Sequence, residues 1–167
     1  ILIIMEFSKK IIYKDIKDSW KQIIKKCMYP EYKNIKKKIM SSNDIIFPNF
    51  DNIFETFKHF DFNETKVVIL GQDCYINSIV IDGILYPQAC GLSFSVNDKH
   101  KVPPSLKNIF LELEETVDGF KKPNNGDLSR WVKEEKVLLL NCALTVRKGE
   151  SNSHASLWKP ITDKIIK

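Results

Sequence analysis

The chain has 167 residues, 43% hydrophobic and 28% charged, the composition of a folded domain rather than of a disordered segment. Lys and Arg number 26 against 21 Asp and Glu, a net +5 that favours an anionic partner without specifying one. No run approaches the roughly 18 apolar residues of a membrane span, and Cys27, Cys74, Cys90 and Cys142 include no Cys-x-x-Cys pair, so a zinc ribbon or closely spaced iron–sulfur site is poorly supported.

Reduced thiols in an intracellular protein are the simplest reading of those cysteines. The opening Ile1-Leu2-Ile3-Ile4 is too short for the apolar region of a signal peptide. Met5 reads as the natural start, with residues 1–4 upstream of it. Residues 1–18 read as an N-terminal extension and 19–167 as one domain.

In chain order, Ser19 to Met40 predicts one or two amphipathic helices, with Trp20, Ile23, Ile24 and Cys27 on one face. Pro30 interrupts the pattern, and Lys36-Lys37-Lys38 reads as a solvated face. Asn52 to Phe60 predicts a further helix, with Ile53, Phe54, Phe57 and Phe60 as a core-facing stripe. Val67-Val68-Ile69-Leu70 is a β-branched run stopping at Gly71, the pattern of a strand buried on both faces. Leu92 to Val96 is a weaker strand candidate. After Pro103-Pro104, Ser105 is the expected N-cap of a helix to Val117, with Ile109, Phe110 and Leu113 at helical spacing. Asp127 or Ser129 opens the helix carrying Trp131. Val137-Leu138-Leu139-Leu140, stopped by Asn141, is the second buried strand. This alternation predicts an α/β fold with a central, mostly parallel β-sheet flanked by helices.

In such folds ligands sit beyond the carboxyl ends of the strands, and polar residues gather there. Gly71-Gln72-Asp73-Cys74-Tyr75 follows the first strand, and Asn141 ends the second. An acid, an amide and aromatic rings at one sheet edge suit a planar, amide-bearing ligand, since Asn offers both a donor and an acceptor. Asp73 as a helix cap and Asn141 as a turn residue fit the same residue types.

The segments VVILGQDCY (67–75), QACGLSFSV (88–96), PPSLKNIFLEL (103–113) and VLLLNCALTV (137–146), then SHASLW (153–158) and ITD (161–163), together resemble the uracil-DNA glycosylase family, its uracil-excising branch. The likeness runs from about Trp20 to the end, carried by the order and spacing of the segments. It implies hydrolysis of the N-glycosidic bond of uracil in DNA, as in base-excision repair, with the nucleotide extruded into a pocket and with no metal or organic cofactor. By that resemblance Asp73 is the carboxylate that orients the attacking water and stabilises positive charge on the sugar. Asn141 pairs with the uracil edge and rejects cytosine, Tyr75 excludes the methyl of thymine, and Phe94 stacks on the base. Gln72 joins the uracil-carbonyl contacts. Pro104 and Ser105 belong to a loop that presses on the DNA backbone. His154 is not assigned as the family's catalytic histidine and reads as a hydrogen-bonded structural side chain.

The sequence departs from the family pattern in several places. It stops at Lys167 without a His-Pro-Ser-Pro-Leu segment, and so without the catalytic histidine, the leucine loop and the last core strand expected there. Cys74 stands where the family has proline and Ile76 where it has histidine. Asn77 to Tyr86 is longer than its counterpart, and a glycine before Trp158 is missing. The expectations are therefore a monomeric uracil-DNA glycosylase, a noncatalytic or weakly active DNA-binding relative with replication proteins as partners, or a truncated fragment. Uracil-containing DNA is the expected partner and no membrane is. Intracellular placement follows, nucleus and cytoplasm undistinguished. The Lys, Ile and Asn bias fits an AT-rich genome such as a viral one.

Overall fold

The computed structural model describes residues 15–29, 31–40 and 43–167. The expectations placed on Met5 and Pro30 lie outside them. Helix α1 (Asp18–Met28) buries Trp20, Ile24, Cys27 and Met28. A short α2 (Tyr32–Ile35) runs into a π turn, Lys36–Met40. The amphipathic pattern of this stretch is thus realised as helix. Ile16, just ahead of α1, is already part of the core.

Asn52 to Phe60 is a correction. Two separate 3-10 turns, Phe50–Asn52 and Glu55–Phe57, replace the expected continuous helix. The apolar stripe is nonetheless core: Ile53, Phe54, Phe57 and Phe60 are all buried. Trp20 leans on Phe57 with ring centroids 4.9 Å apart and donates its indole N–H to the Phe60 carbonyl. The helical repeat breaks where the chain packs against Gly91, at which a Cβ would lie 1.9 Å from the Asn52 carbonyl oxygen. Gly91 has φ +89°, so two constraints call for glycine there.

The short strand β1 (Ile46–Phe47) precedes these turns, and β2 (Val67–Asp73) follows them. Next come β3 (Ser78–Ile81) and β4 (Ile84–Pro87). Asp82 and Gly83 link β3 to β4 with φ values of 50° and 76°, the positive angles of a two-residue hairpin turn. The longer segment noticed in the sequence is therefore a β-ribbon, and Val80, Ile81 and Ile84 near its tip are exposed. Helix α3 (Pro104–Thr116), helix α4 (Ser129–Lys133), β5 (Val137–Ala143), β6 (Val146–Arg147) and α5 (Ala155–Ile166) complete the order.

At the centre β2 and β5 run parallel, from Val67 opposite Val137 to Gly71 opposite Asn141 and Asp73 opposite Ala143. The other ladders are antiparallel pairs, β1 with β6 and β3 with β4. The chain is an α/β protein, with the parallel pair and its covering helices at its core. Strand β5 is buried along nearly its whole length, as its run of leucines predicts. Strand β2 is not: Val67, Val68 and Leu70 are 45–50% exposed. Among the described residues no strand pairs with its second edge, which explains the difference from a strand buried on both faces.

Leu92 to Val96 is a second correction. It is irregular, and Phe94 at φ 63° cannot sit in a strand, although Leu92 and Val96 are buried. A third concerns Ser105: the N-cap is Pro103, with Pro104 at the first helical position, where its missing N–H costs nothing. Helix α4 does begin at Ser129, with Leu128 rather than Asp127 as its N-cap, and the Asp127 carboxylate accepts the Ser129 backbone N–H at 2.8 Å. Helix α5 lays Leu157, Trp158, Ile161 and Ile165 on the core, and Thr162 anchors it by donating to the Cys142 carbonyl at 2.8 Å.

Candidate active site

The carboxyl ends of β2 and β5 open into a cavity of about 250 Å³, and Asp73, Tyr75, Phe94, Ser105 and Asn141 all line it. Gly71, opposite Asn141 in the ladder, makes the floor. A Cβ at Gly71 would lie 2.2 Å from Asn141 Oδ1, so the close approach of the amide to the neighbouring strand depends on this residue. Asn141 is 6% exposed, and its Nδ2 donates to Cys74 Sγ at 3.6 Å. The alternative reading of Asn141 as a turn residue fails, because it lies within the regular ladder.

Asp73 is the last residue of β2 and caps no helix. Its Oδ2 accepts two hydrogen bonds, from Ser151 Oγ at 2.8 Å and from the Asn152 backbone N–H at 2.7 Å. These donors come from the turn after β6. That turn is fixed by Gly149, at φ 79°, whose N–H donates to the Ile76 carbonyl, and by Lys148, whose N–H donates to the Ile45 carbonyl. Ser151 and Asn152 are the site residues that the sequence reading passes over. The signal lay in a Gly-Glu-Ser-Asn-Ser stretch after a strand, a composition that makes turns with free donors. Gln72 also lines the cavity, but its side-chain amide donates to Asn152 Oδ1 at 3.1 Å and braces the same turn.

The two aromatic residues are locked from below. Tyr75 donates its hydroxyl proton to the Phe94 carbonyl at 3.3 Å, and Ser105 Oγ lies 3.0 Å from the same hydroxyl. With the tyrosine proton on Phe94, Ser105 is the donor of the second bond. Burial pushes the Tyr75 hydroxyl up in pKa, only partly offset by Ser105, so the phenol keeps its proton. Phe94 occupies the left-handed region, which for a bulky residue costs about 1–3 kcal/mol and is found where a ring must be aimed. Pro104 and Ser105 are exposed at the start of α3, and of the two Ser105 lines the cavity.

His154 stands apart from the cavity. It is buried, with Nδ1 2.9 Å from Thr145 Oγ1, and the Trp158 indole donates to that same hydroxyl at 2.7 Å. Thr145 therefore accepts from Trp158 and shares a hydrogen bond with His154, a structural chain as expected. Burial, then the charge of Arg147, lowers the His154 pKa and keeps the ring neutral. The four cysteines are free, and burial pushes the Cys74 thiol up to about 12. Among the described residues no three His, Cys, Asp or Glu side chains gather as a metal site would need. No helix among them is long and apolar enough to cross a membrane.

An acid and an amide at the ends of paired parallel strands, sharing one cavity with two aromatic side chains, stand at the sheet edge where α/β proteins commonly bind ligands. No family model matches the chain. It is 46% identical over 141 residues to the uracil-DNA glycosylase of Blochmanniella floridana, covering 82% of this chain and 60% of that one. It is 40% identical over 155 residues to the uracil-DNA glycosylase of Caenorhabditis elegans, covering 90% and 52%. The crystal structure of mimivirus uracil-DNA glycosylase aligns with a TM-score of 0.70 at 28% identity, over 98% of this chain and 66% of that one. A point variant of the mimivirus protein in complex with UGI aligns with a TM-score of 0.83 at 29% identity, over 97% and 60%. The chain belongs to the uracil-DNA glycosylase family. It spans between about half and two thirds of the length of these relatives.

Proposed function

We propose that this chain excises uracil from DNA by hydrolysing the bond between base and deoxyribose, the first step of base-excision repair. The observation that carries the reading is the convergence of Asp73 and Asn141 on one cavity between Tyr75 and Phe94. A base cannot react inside the stack, so a nucleotide is turned out of the duplex, and contacts in the cavity offset a few kcal/mol of lost stacking. Asn141 then meets the edge of the pyrimidine with a donor and an acceptor, Phe94 supplies a ring face for stacking, and Tyr75 crowds the ring.

As the glycosidic bond lengthens, electrons move onto the base and positive charge grows on the sugar. Asp73 offers a fixed negative group to that charge. Both of its hydrogen bonds fall on Oδ2, which leaves Oδ1 to orient a water for attack on the sugar carbon. Ser105 and Pro104, exposed at the start of α3, are positioned to meet the phosphate backbone, and the Ser105 hydroxyl has to leave Tyr75 to do so. The same reading carries intracellular placement and a monomer acting on DNA.

The test is release of uracil from a single-stranded oligonucleotide bearing one uracil. Asp73→Asn is expected to lower turnover at least about 100-fold, with an unchanged thermal midpoint because the side chain is partly exposed. A folded Asp73→Asn chain with wild-type turnover would refute the assignment. Salt-sensitive DNA binding by the folded wild-type chain without uracil release would instead favour the noncatalytic relative.

A further inference from the structure

We propose that the Cys74 thiol is a positioning residue that fixes which way the Asn141 amide faces, and so sets the donor and acceptor order the cavity presents to a pyrimidine. The inference rests on the glycosylase reading for its substrate and on local geometry for its mechanism. Cys74 Sγ donates to the Ala143 carbonyl at 3.5 Å and accepts from Asn141 Nδ2 at 3.6 Å. A thiol has one proton. Once that proton is on Ala143, only sulfur lone pairs face Asn141, and the amide must answer with N–H.

A flipped amide would bring carbonyl lone pairs against sulfur lone pairs. On the other side Asn141 Oδ1 rests against Gly71 Cα, a position open to oxygen only because no Cβ is there. The amide is thus held between a sulfur and a glycine, with its second N–H and its oxygen left for a ligand. Burial, which holds the thiol's pKa near 12, keeps the proton in place throughout the neutral range. The imide edge of uracil, a ring N–H beside a carbonyl, requires one order of acceptor and donor, whereas cytosine, with a ring nitrogen acceptor beside an amino group, requires the reverse. Since an amide that misorients leaves buried polar groups unmatched, its orientation governs discrimination between the two bases.

The experiment compares wild type with Cys74→Ser, Cys74→Ala and Cys74→Val. One readout is the set of NOEs from the Asn141 side-chain amide protons; the other is the ratio of uracil to cytosine release from matched oligonucleotides. In wild type the amide protons should give stronger NOEs to the Cys74 β protons than to the Gly71 α protons. Cys74→Ala and Cys74→Val should strengthen the Gly71 contacts relative to those with residue 74 and lower the selectivity ratio about 5- to 20-fold. Cys74→Ser retains a donor and an acceptor and should stay within about threefold of the wild-type ratio.

Gly71 contacts stronger than the Cys74 contacts in wild type, or folded Ala and Val variants with wild-type selectivity, would overturn the inference while leaving the glycosylase reading intact. Should wild type release no uracil and the NOEs still follow the stated pattern, the positioning role stands and the glycosylase reading falls.

Discussion

Replacing Gly71 with alanine tests how the cavity is built. The new Cβ would lie 2.2 Å from Asn141 Oδ1 and 2.9 Å from Ser93 Cβ, where ordinary contact begins near 3.4 Å. The first clash, more than an ångström deep, is with the free end of a side chain, which swings aside. The second is shallower but involves an atom fixed to the backbone of a residue tied into the core, since the Ser93 N–H donates to the Leu139 carbonyl. Overpacking of this kind costs about 1–3 kcal/mol. Alanine recovers about 0.4–1 kcal/mol by restricting the unfolded chain, so the net loss should centre on about 1 kcal/mol and not exceed about 2.5 kcal/mol. For a chain of this size a loss of about 1 kcal/mol lowers the thermal midpoint by roughly 2–4 °C. Function should suffer more, because displacing a substrate-positioning group by about 1 Å costs about 100-fold in turnover. Calorimetry paired with the uracil-release assay separates the two effects. A Gly71→Ala chain that melts with wild type and turns over within twofold of it would refute this account of the floor.

Two other outcomes follow from groups outside the cavity. Thr145→Val strands both the Trp158 indole and His154 inside the core and should cost about 2–4 kcal/mol, read as a lower urea midpoint with unchanged slope; a cost under 1 kcal/mol would mean that the chain of hydrogen bonds contributes little. Glu55 is a pH sensor of stability: burial raises its pKa, but hydrogen bonds from His59 and Lys58 and their charges outweigh that and bring it to about 2. Because the folded value lies below the ordinary 4.5, its contribution is complete above about pH 4.5 and lost as pH falls toward 2. The stability gap between wild type and Glu55→Gln should therefore narrow on acidification from pH 6 to 3, and a gap independent of pH would show that the cluster is not formed.

Hydrophobic pattern located the core well and its geometry less well. Phe54, Phe57 and Phe60 are buried as their spacing suggests, yet only Phe57 lies in a 3-10 turn while Phe54 and Phe60 flank it in irregular backbone, because burial of a stripe is decided by residue type and continuity of a helix by what packs against its backbone. Strand β5 reads correctly from its leucines. Strand β2 reads correctly as a strand but not as a doubly covered one, since coverage depends on neighbours that a local window does not contain. Leu92 to Val96 has the alternation of a strand, but Phe94 takes φ 63° and the flanking N–H groups of Ser93 and Val96 bond to the distant Leu139 and Gly126 carbonyls, partners that a local window does not contain. Asp73 and Asn141 stand out because strand ends are conspicuous in sequence. Ser151 and Asn152 do not, because they reach Asp73 across 78 and 79 positions.

That separation bears on how the molecule acquires its chemistry. The carboxylate and the donors that hold it are synthesised far apart and meet only after β5 has zipped onto β2 and the segment beyond β6 has folded back. Closing so long a loop is slow and must precede any reward from the contacts it enables. Early collapsed states can carry helix and buried tryptophan while Asp73 is still unheld. During refolding, then, tryptophan fluorescence should recover before catalysis does, and the lag between them measures the time taken to tie the last turn to the end of the first central strand.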